Sequence, residues 1–386
     1  VIIPFFHPTK PLFWYSFERQ PGERAYYAYD VKNGKREVYD YRVIDSLVRK
    51  MFPGEEDRVY YNPEFDENGL VAKLEIEGKV FVYDAKNKSL IPSERKKYPS
   101  IRPYGVSPDL KYELIVKDEN LWLEDKEQKR ETQLTFDGGK DYGFETASIE
   151  WLSEDGAFYI TREDKRSIRT FPLVYSLREP APVVSEYKYE LPGDTAVLKQ
   201  ELFIGNVRTG MFKKVDVVKW QGQLLEVLRV SDVHDRAFFI RKKGTRDEFE
   251  LCSVDAKTGD VKVILHEVSK PYLNEELFSC RVLNGGEDIL LWSDRSGWGH
   301  YYHYDGNGKL LNAVTSGEWT AGRIMKIDTV KKQIYLYGYG KEKGCNPNYT
   351  HMYRVGFNGR RLTLLTPGNA THSAFVHLGG GLIVDN

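Results

Sequence analysis

The sequence predicts an all-β fold, a β-propeller of seven to eight four-stranded antiparallel blades whose last blade is incomplete. Three observations support this class. The composition favours strands over helices, one turn motif recurs along most of the chain, and its copies recur at intervals of about 50 residues. Short strands in repeats of this length are typical of propeller blades, which bury both faces only when they stack.

The composition combines many aromatic side chains with few methionines. Tyr, Phe and Trp number 26, 19 and 7, whereas Met numbers 4, and this balance favours strands. The 56 basic and 57 acidic residues leave a net charge of -1, which gives no electrostatic basis for binding nucleic acid. The sequence contains no apolar run of about 18 residues that could span a membrane.

The recurring motif is a strand that ends in an aromatic or apolar residue followed by Asp, and then a turn rich in Gly, Asn and Lys. The first two copies are 54 positions apart and the last two are 50 positions apart. Such turn residues between short strands are typical of hairpins, so each copy marks a hairpin within a blade. The clearest copies end at Tyr29-Asp30, Tyr83-Asp84, Val254-Asp255 and Tyr304-Asp305.

Two segments depart from the repeat. Residues 42–52 place apolar side chains at helical spacing, which predicts a short helix on the rim. Residues 165–198 are interrupted by prolines, and we interpret them as an insertion within one blade. Two separate β-sandwiches are the competing architecture, but no Ser/Gly-rich linker divides the chain. We therefore assign residues 1–386 to a single propeller domain, and its last strands, in residues 373–385, begin an eighth blade.

The sequence predicts no metal site and no cofactor. The three cysteines, Cys252, Cys280 and Cys345, are far apart and form no C-x-x-C pair, so we interpret them as free thiols. His300 and His303 are three positions apart, and on a strand this spacing places them on opposite faces, which argues against a shared metal ion. We expect His300 to have a packing role.

The most informative segment is residues 293–302, which read Ser-Asp-Arg-Ser-Gly-Trp-Gly-His-Tyr-Tyr. This segment resembles the S-E-R-x-G-W-x-H-L-Y signature of the dipeptidyl peptidase IV N-terminal propeller, with Asp294 in place of Glu and Tyr301 in place of Leu. The resemblance continues through residues 315–319 and 365–368. The insertion also resembles the blade-edge strand of that family, so the resemblance covers residues from about 104 to 386.

The resemblance implies that this chain is the non-catalytic propeller of a serine exopeptidase of the prolyl oligopeptidase group. In that family a C-terminal α/β-hydrolase domain follows the propeller, which restricts access to short peptides and holds the peptide N-terminus. The same resemblance implies a periplasmic, secreted or membrane-anchored location outside the cytoplasm. Short peptides, the hydrolase domain and a second copy of the chain are therefore the expected partners, and nucleic acid is not.

No catalytic residue is assigned in this chain. A serine hydrolase carries its nucleophile on a strand-to-helix turn, usually written G-x-S-x-G, and the sequence contains no such motif. Ser107 and Ser296 lie in turn sequences without that context. We expect the hydrolase domain to lie outside this chain, which alone should not hydrolyse peptides. The start at Val1 lacks the flank of a signal peptide, so we interpret it as a processed or cut end.

The family binds the free α-amino group of its substrate with a pair of Glu residues on a short helix, because two carboxylates attract a cation. Here the corresponding residues 140–147 read Lys-Asp-Tyr-Gly-Phe-Glu-Thr-Ala and contain no adjacent Glu pair. Glu145 is the candidate amine contact in this interval, and a solvated loop residue is the alternative interpretation. The missing pair keeps a second function open, a stand-alone protein- or peptide-binding propeller without peptidase activity.

Overall fold

The structure is a computed structural model, and it describes residues 2–20, 23–38, 41–53, 60–66, 69–76, 79–84, 86–93, 105–152, 155–191, 193–230 and 233–386. Almost all regular structure in these residues is antiparallel strand. The chain divides into two compact units, Val1–Ser100 with Glu318–Asn386 and Ile101–Gly317. The assignment of residues 1–386 to one domain stays a prediction.

The first unit begins with two four-stranded antiparallel sheets, each a meander in chain order. The first sheet contains β1 (Phe5–Phe6), β2 (Leu12–Gln20), β3 (Glu23–Asp30) and β4 (Gly34–Glu37). The second contains β5 (Tyr60–Asp66), β6 (Gly69–Ile76), β7 (Lys79–Asp84) and β8 (Ser89–Ser93).

Between these two sheets the chain forms helix α1 (Tyr41–Met51), where the apolar spacing predicted a helix. Ile44 and Val48 are four positions apart and therefore lie on the same face. Both side chains are buried in a core with Trp14 and Phe81 of the flanking sheets. The helix thus covers apolar surface that the strands of this unit leave open.

The second unit contains the central sheets of the chain, and one long hairpin interrupts them. Its first sheet has three strands, β9 (Tyr112–Lys117), β10 (Asn120–Asp125) and β11 (Arg130–Gln133). The next sheet has five strands, β12 (Tyr142–Phe144), β13 (Glu150–Trp151), β14 (Ala157–Asp164), β17 (Lys199–Asn206) and β18 (Met211–Val215). Between β14 and β17 the chain forms a separate hairpin of β15 (Thr170–Tyr175) and β16 (Val183–Lys188). β14 pairs with β12, β13 and β17, so the hairpin is an insertion within one sheet.

Two regular four-stranded sheets complete the second unit. They contain β19 (Leu224–Leu228), β20 (Arg236–Lys242), β21 (Glu248–Asp255) and β22 (Val261–Val268), followed by β23 (Cys280–Leu283), β24 (Asp288–Ser293), β25 (His300–Asp305) and β26 (Leu310–Ala313).

The C-terminal part of the chain returns to the first unit. It adds a four-stranded sheet of β27 (Thr320–Asp328), β28 (Gln333–Tyr339), β29 (Thr350–Gly356) and β30 (Thr363–Leu364), and then the hairpin β31 (Ala374–His377) and β32 (Leu382–Asp385). Leu382 and Val384 pack against a core of Phe13 and Tyr15 from the first sheet. A two-stranded incomplete last blade matches the predicted beginning of an eighth blade.

Neighbouring sheets in the second unit are buried against each other on both faces. In β20, Phe238 packs in a core with Leu291 of the following sheet, whereas the adjacent Phe239 packs in a different core with Ile204 of the preceding sheet. Because successive strand residues point to opposite faces, a continuous apolar run is required here, and β20 supplies one. This stacking of sheets is what the repeat pattern predicted.

The Asp that ends each sequence repeat accepts hydrogen bonds from the turn that follows it. Asp255 Oδ1 accepts hydrogen bonds of 2.8 Å from the backbone N–H groups of Lys257 and Thr258, two and three positions later. Asp30 and Asp84 make the same pair of bonds. A short acceptor side chain thus closes the turn between the third and fourth strands of the sheet. The same turn also occurs at Asp125 and Asn206.

Candidate functional site

The signature segment forms the turn between β24 and β25, where its polar residues bind the neighbouring strand. Arg295 and Ser293 both donate to the Glu267 carboxylate on β22. Gly299 lies so close to Trp292 that any side chain at this position would collide with the indole ring. The signature residues therefore hold a tight turn in place, which explains why this combination of residue types occurs together.

His300 of the signature and the nearby His303 are buried and bind different partners. His300 Nε2 donates to the Gly317 carbonyl at 3.0 Å, and His300 Nδ1 lies 3.0 Å from the Thr315 hydroxyl. His303 Nε2 lies 2.7 Å from Asp288 Oδ1. Burial lowers the pKa of His300 and outweighs the opposing effect of its bond to Gly317. These contacts are those of a histidine packed within a sheet.

Glu145, the candidate amine contact, is exposed to solvent immediately before the 3-10 helix Thr146–Ser148. Its backbone is extended, and its carbonyl oxygen accepts a hydrogen bond from the Ser148 hydroxyl at 2.8 Å. Its charge acts on Lys165, whose pKa is raised mainly by Glu163 and further by Glu145. The structure thus presents Glu145 as a solvent-facing carboxylate close to a lysine.

A second carboxylate, that of Glu119, lies beside the same stretch of chain. Glu119 has a left-handed backbone with φ of 64° in the turn between β9 and β10. Its side chain lies across Gly143, where a Cβ atom would collide with the carboxylate. Gly143 is the middle residue of β12 and Glu145 directly follows this strand, so Glu119 and Glu145 both lie next to it. Glu119 could not be recognised from the sequence because it lies 26 positions before Glu145 and carries no local motif.

The strongest electrostatic feature near this segment is the buried guanidinium of Arg162 on β14. Arg162 pairs directly across the sheet with Phe144 on β12 and with Glu201 on β17. Its guanidinium lies 3.8 Å from the centre of the Tyr142 ring and donates to Glu201 Oε2 at 3.0 Å and to Asp137 Oδ1 at 2.9 Å. We call Tyr142, Arg162, Glu201 and Asp137 the Arg162 cluster.

The Arg162 cluster keeps the Glu201 carboxylate ionised. Burial on its own would raise the pKa of Glu201, but hydrogen bonds from Lys214 and Arg162 outweigh it and hold the pKa below the ordinary value. Burial and the neighbouring Glu201 raise the pKa of the Tyr142 hydroxyl, against the opposing charge of Arg162. The cluster is therefore a compensated set of charges, with only the Asp137 side chain largely exposed, at 60%.

The two serines of the candidate turn sequences form hydrogen bonds within their own turns, and two of the three cysteines are buried. The Ser107 hydroxyl donates to Asp109 and accepts from the Tyr112 backbone N–H, and the Ser296 hydroxyl donates to the Trp298 carbonyl. Burial raises the pKa of the Cys252 thiol to about 11 and that of Cys280 to about 12. Such thiols are poor nucleophiles because the thiolate is the reactive form.

In the part of the chain that the structure describes, no group of three or more His, Cys, Asp or Glu side chains is arranged to hold a metal ion. None of the helices there has the length and the apolar character that crossing a membrane requires.

Comparison with known proteins connects these features to one family. The family model described as the dipeptidyl peptidase IV (DPP IV) N-terminal region matches residues 67–386. The chain is 25% identical to dipeptidyl peptidase 4 of Trichophyton rubrum over 307 residues, which is 74% of this chain and 39% of that protein. It is 30% identical to a probable dipeptidyl peptidase 4 of Trichophyton verrucosum over 143 residues, covering 36% of this chain and 18% of that protein.

Two solved structures share the fold of the whole chain. The crystal structure of Porphyromonas gingivalis dipeptidyl peptidase 4 has a TM-score of 0.62 at 18% identity and covers 100% of this chain and 55% of that chain. A putative dipeptidyl aminopeptidase IV from Bacteroides ovatus has a TM-score of 0.58 at 15% identity and covers 100% of this chain and 57% of that one. These matches confirm the predicted all-β propeller class. The chain spans about half the length of these relatives.

Proposed function

The chain belongs to the dipeptidyl peptidase IV N-terminal region family, and we propose that it is the non-catalytic propeller of a serine exopeptidase of this kind. The observation that carries the proposal is the family match over residues 67–386, within which the signature turn at 293–302 is fully formed. In this proposal an α/β-hydrolase domain of the same protein cleaves short peptides near their N-terminus, and the propeller gates access and anchors that terminus.

Sequencing the gene beyond the codon for Asn386 tests this function directly. We expect about 250 further codons that encode a G-x-S-x-G elbow followed by Asp and His, the order of the triad in α/β-hydrolases. A stop codon directly after Asn386 would contradict the peptidase proposal.

Within this function, we propose that Glu145 and Glu119 together bind the free α-amino group of the peptide. Two carboxylates that converge on one ammonium group bind it more strongly than one does, because each adds a hydrogen bond between oppositely charged groups, and such bonds are stronger than those between neutral groups. Glu145 is exposed, and Glu119 packs across Gly143 of the strand that Glu145 follows. This arrangement takes one carboxylate from each of two neighbouring sheets instead of two from one helix.

The complete gene product should therefore cleave a dipeptide p-nitroanilide with a free N-terminus and reject its N-acetylated form. Glu145→Gln and Glu119→Gln should each raise KM for the free form by about tenfold, the effect of roughly 1.4 kcal/mol of lost binding, with kcat little changed. Glu131→Gln, at an exposed position on β11, is the matched control. Equal KM values in all three variants would remove both residues from the site.

A stand-alone binding propeller is the second candidate function, and the absence of an adjacent Glu pair in residues 140–147 favours it. It predicts a stable complex of this chain with a protein or peptide and no hydrolase encoded after Asn386. The gene sequence and the peptidase assay therefore distinguish the two functions.

We also propose that the protein works outside the cytoplasm, in the periplasm, secreted or anchored to a membrane. This location rests on family membership alone. Fractionation of the source cells, with antibodies against the chain, tests it: a cytoplasmic pool that holds nearly all of the protein would contradict it.

A further inference from the structure

A cavity of about 530 Å³ lies within the second unit, between the sheet of β13 and β14 and the sheet of β19 and β20. Its walls are mostly apolar and come from both sheets. Trp151 and Tyr159 form one side, and Val233, Ala237 and Phe238 form the other. Cavities of roughly 300–1,000 Å³ with walls of this kind hold small organic ligands in proteins.

The Tyr159 side chain gives this cavity a specific polar group. Tyr159 is only 4% exposed and lines the cavity, and its hydroxyl has no hydrogen bond within the described part of the chain. Burial raises the pKa of this hydroxyl well above the ordinary value, with a further contribution from Glu150, so it stays neutral and can donate a proton. The hydroxyl is not one of the fully buried polar atoms without a partner, so it faces the open space of the cavity, where a ligand oxygen can accept a hydrogen bond from it.

The charged groups at the edge of the cavity are already compensated. Arg229 Nε lies 3.0 Å from Glu150 Oε2, and Arg236 pairs with Asp235 at 2.8 Å. His234 Nδ1 lies 2.6 Å from the Leu152 carbonyl. An ionic ligand would gain little here, because each charge has an opposite charge beside it, whereas a neutral apolar ligand would bury the exposed cavity wall.

We propose that this cavity binds a neutral, largely apolar small molecule that carries one hydrogen-bond-accepting oxygen, such as a ketone or an ester, placed against the Tyr159 hydroxyl. The apolar body of the ligand contacts Trp151 and Phe238. The site is independent of the proposed peptide anchoring, because it uses neither Glu145 nor Glu119.

Fluorescence titration with prodan tests the proposal. Prodan is a neutral naphthalene with a ketone oxygen, and its emission moves to shorter wavelength in apolar surroundings. We expect saturable blue-shifted emission with the unmodified protein. Tyr159→Phe removes only the hydroxyl and should weaken prodan binding about fivefold, the effect of one hydrogen bond. Tyr175→Phe, on the exposed hairpin β15–β16, is the matched control and should bind like the unmodified protein.

A cavity-filling variant locates the probe. Val230 lines the cavity and is partly buried, so Val230→Trp should abolish the blue-shifted emission. If that variant unfolds, as judged by circular dichroism, the comparison of Tyr159→Phe with Tyr175→Phe decides whether prodan binds beside Tyr159. The proposal fails if the unmodified protein gives no saturable emission, if both Tyr→Phe variants bind equally, or if folded Val230→Trp still binds prodan.

Discussion

At the scale of single residues, the buried charges near β12 and β14 show how this sheet tolerates a guanidinium in its interior. The Arg162 side chain is 5% exposed, and it is matched by Glu201 directly across the ladder and by Asp137 from the preceding loop. A buried ion pair adds little net stability, but removal of one partner leaves an uncompensated charge. Replacement of Arg162 should therefore lower the free energy of unfolding by more than the ion pair itself contributes to it.

We expect Arg162→Met to lower the free energy of unfolding by about 3 kcal/mol, at the low end for a broken buried ion pair, because Glu201 would lose the guanidinium but keep Lys214. Urea denaturation followed by circular dichroism measures this change. Arg166→Met is the matched control, since Arg166 pairs with Asp164 but its side chain is mostly exposed, and it should cost less than 1 kcal/mol. Equal losses in the two variants would contradict the structural assignment.

His300 predicts a pH dependence of stability. Its pKa in the folded protein is lowered by burial from the ordinary value of 6.5, so the unfolded chain takes up a proton at this site more readily. The contribution of His300 is therefore fully present above pH 6.5 and is lost as the pH falls from there towards the lowered pKa.

The measurement is the urea midpoint at several pH values between 7.5 and about 5, a range that brackets the ordinary pKa of histidine. His300→Gln should show a shallower loss of stability towards low pH than the unmodified protein. His266→Gln, at a half-exposed position on β22, should keep the original slope. An unchanged slope in His300→Gln would show that the histidine is not responsible.

At the scale of elements, the turn after each third strand is the unit on which the repeat is built. Asp255→Ala should lower the free energy of unfolding by about 1 kcal/mol, since two backbone N–H groups lose their acceptor. The hydrogen bonds from the backbone N–H groups of Thr258 and Lys257 lower the pKa of Asp255. The loss of stability caused by Asp255→Ala should therefore become smaller as the pH falls below 3.8. Lys257→Ala is the control within the same turn and should be nearly neutral, as thermal unfolding can check.

These turns also explain how much of the fold could be predicted from the sequence. Acceptor side chains such as Asp30 act on groups two and three positions away, so their pattern is local and visible as a repeat. The helix at Tyr41–Met51 was predictable for the same reason, because its apolar spacing lies within one segment. The same turn at Asn206 could not be recognised from the sequence, because Asn replaces Asp there and the inserted hairpin lengthens the interval before it.

The candidate site was less predictable, because its partners come from distant strands. Arg162 is 39 positions from Glu201 and 25 from Asp137, and no local motif joins them. Glu119 comes to lie beside Gly143 only through the packing of neighbouring sheets. The available signal was an Arg close behind the apolar first half of β14, residues 157–160, since an unpaired charge is rarely buried.

At the scale of the whole molecule, the hairpin of β15 and β16 is a candidate surface for assembly. The ten residues of its strands that are exposed include Leu173, Val174, Val183 and Val184. A two-stranded ribbon is marginally stable in water by itself, and clustered exposed apolar side chains mark interaction surfaces. We propose that a second copy of the chain covers this ribbon to form a homodimer.

A charge on the ribbon should separate the two copies. Val184 is 60% exposed and lies opposite Val174 in the ladder, so Val184→Glu would place a carboxylate in the middle of the proposed interface, where burial of an unpaired charge is costly. We expect the unmodified protein to sediment as a dimer at micromolar concentration and Val184→Glu to sediment as a monomer with unchanged circular dichroism. Val330→Glu is the matched control, because Val330 is a 93% exposed valine outside the hairpin, and this variant should remain dimeric. A monomeric unmodified protein, or a dimer that survives Val184→Glu, would assign the ribbon to a different partner.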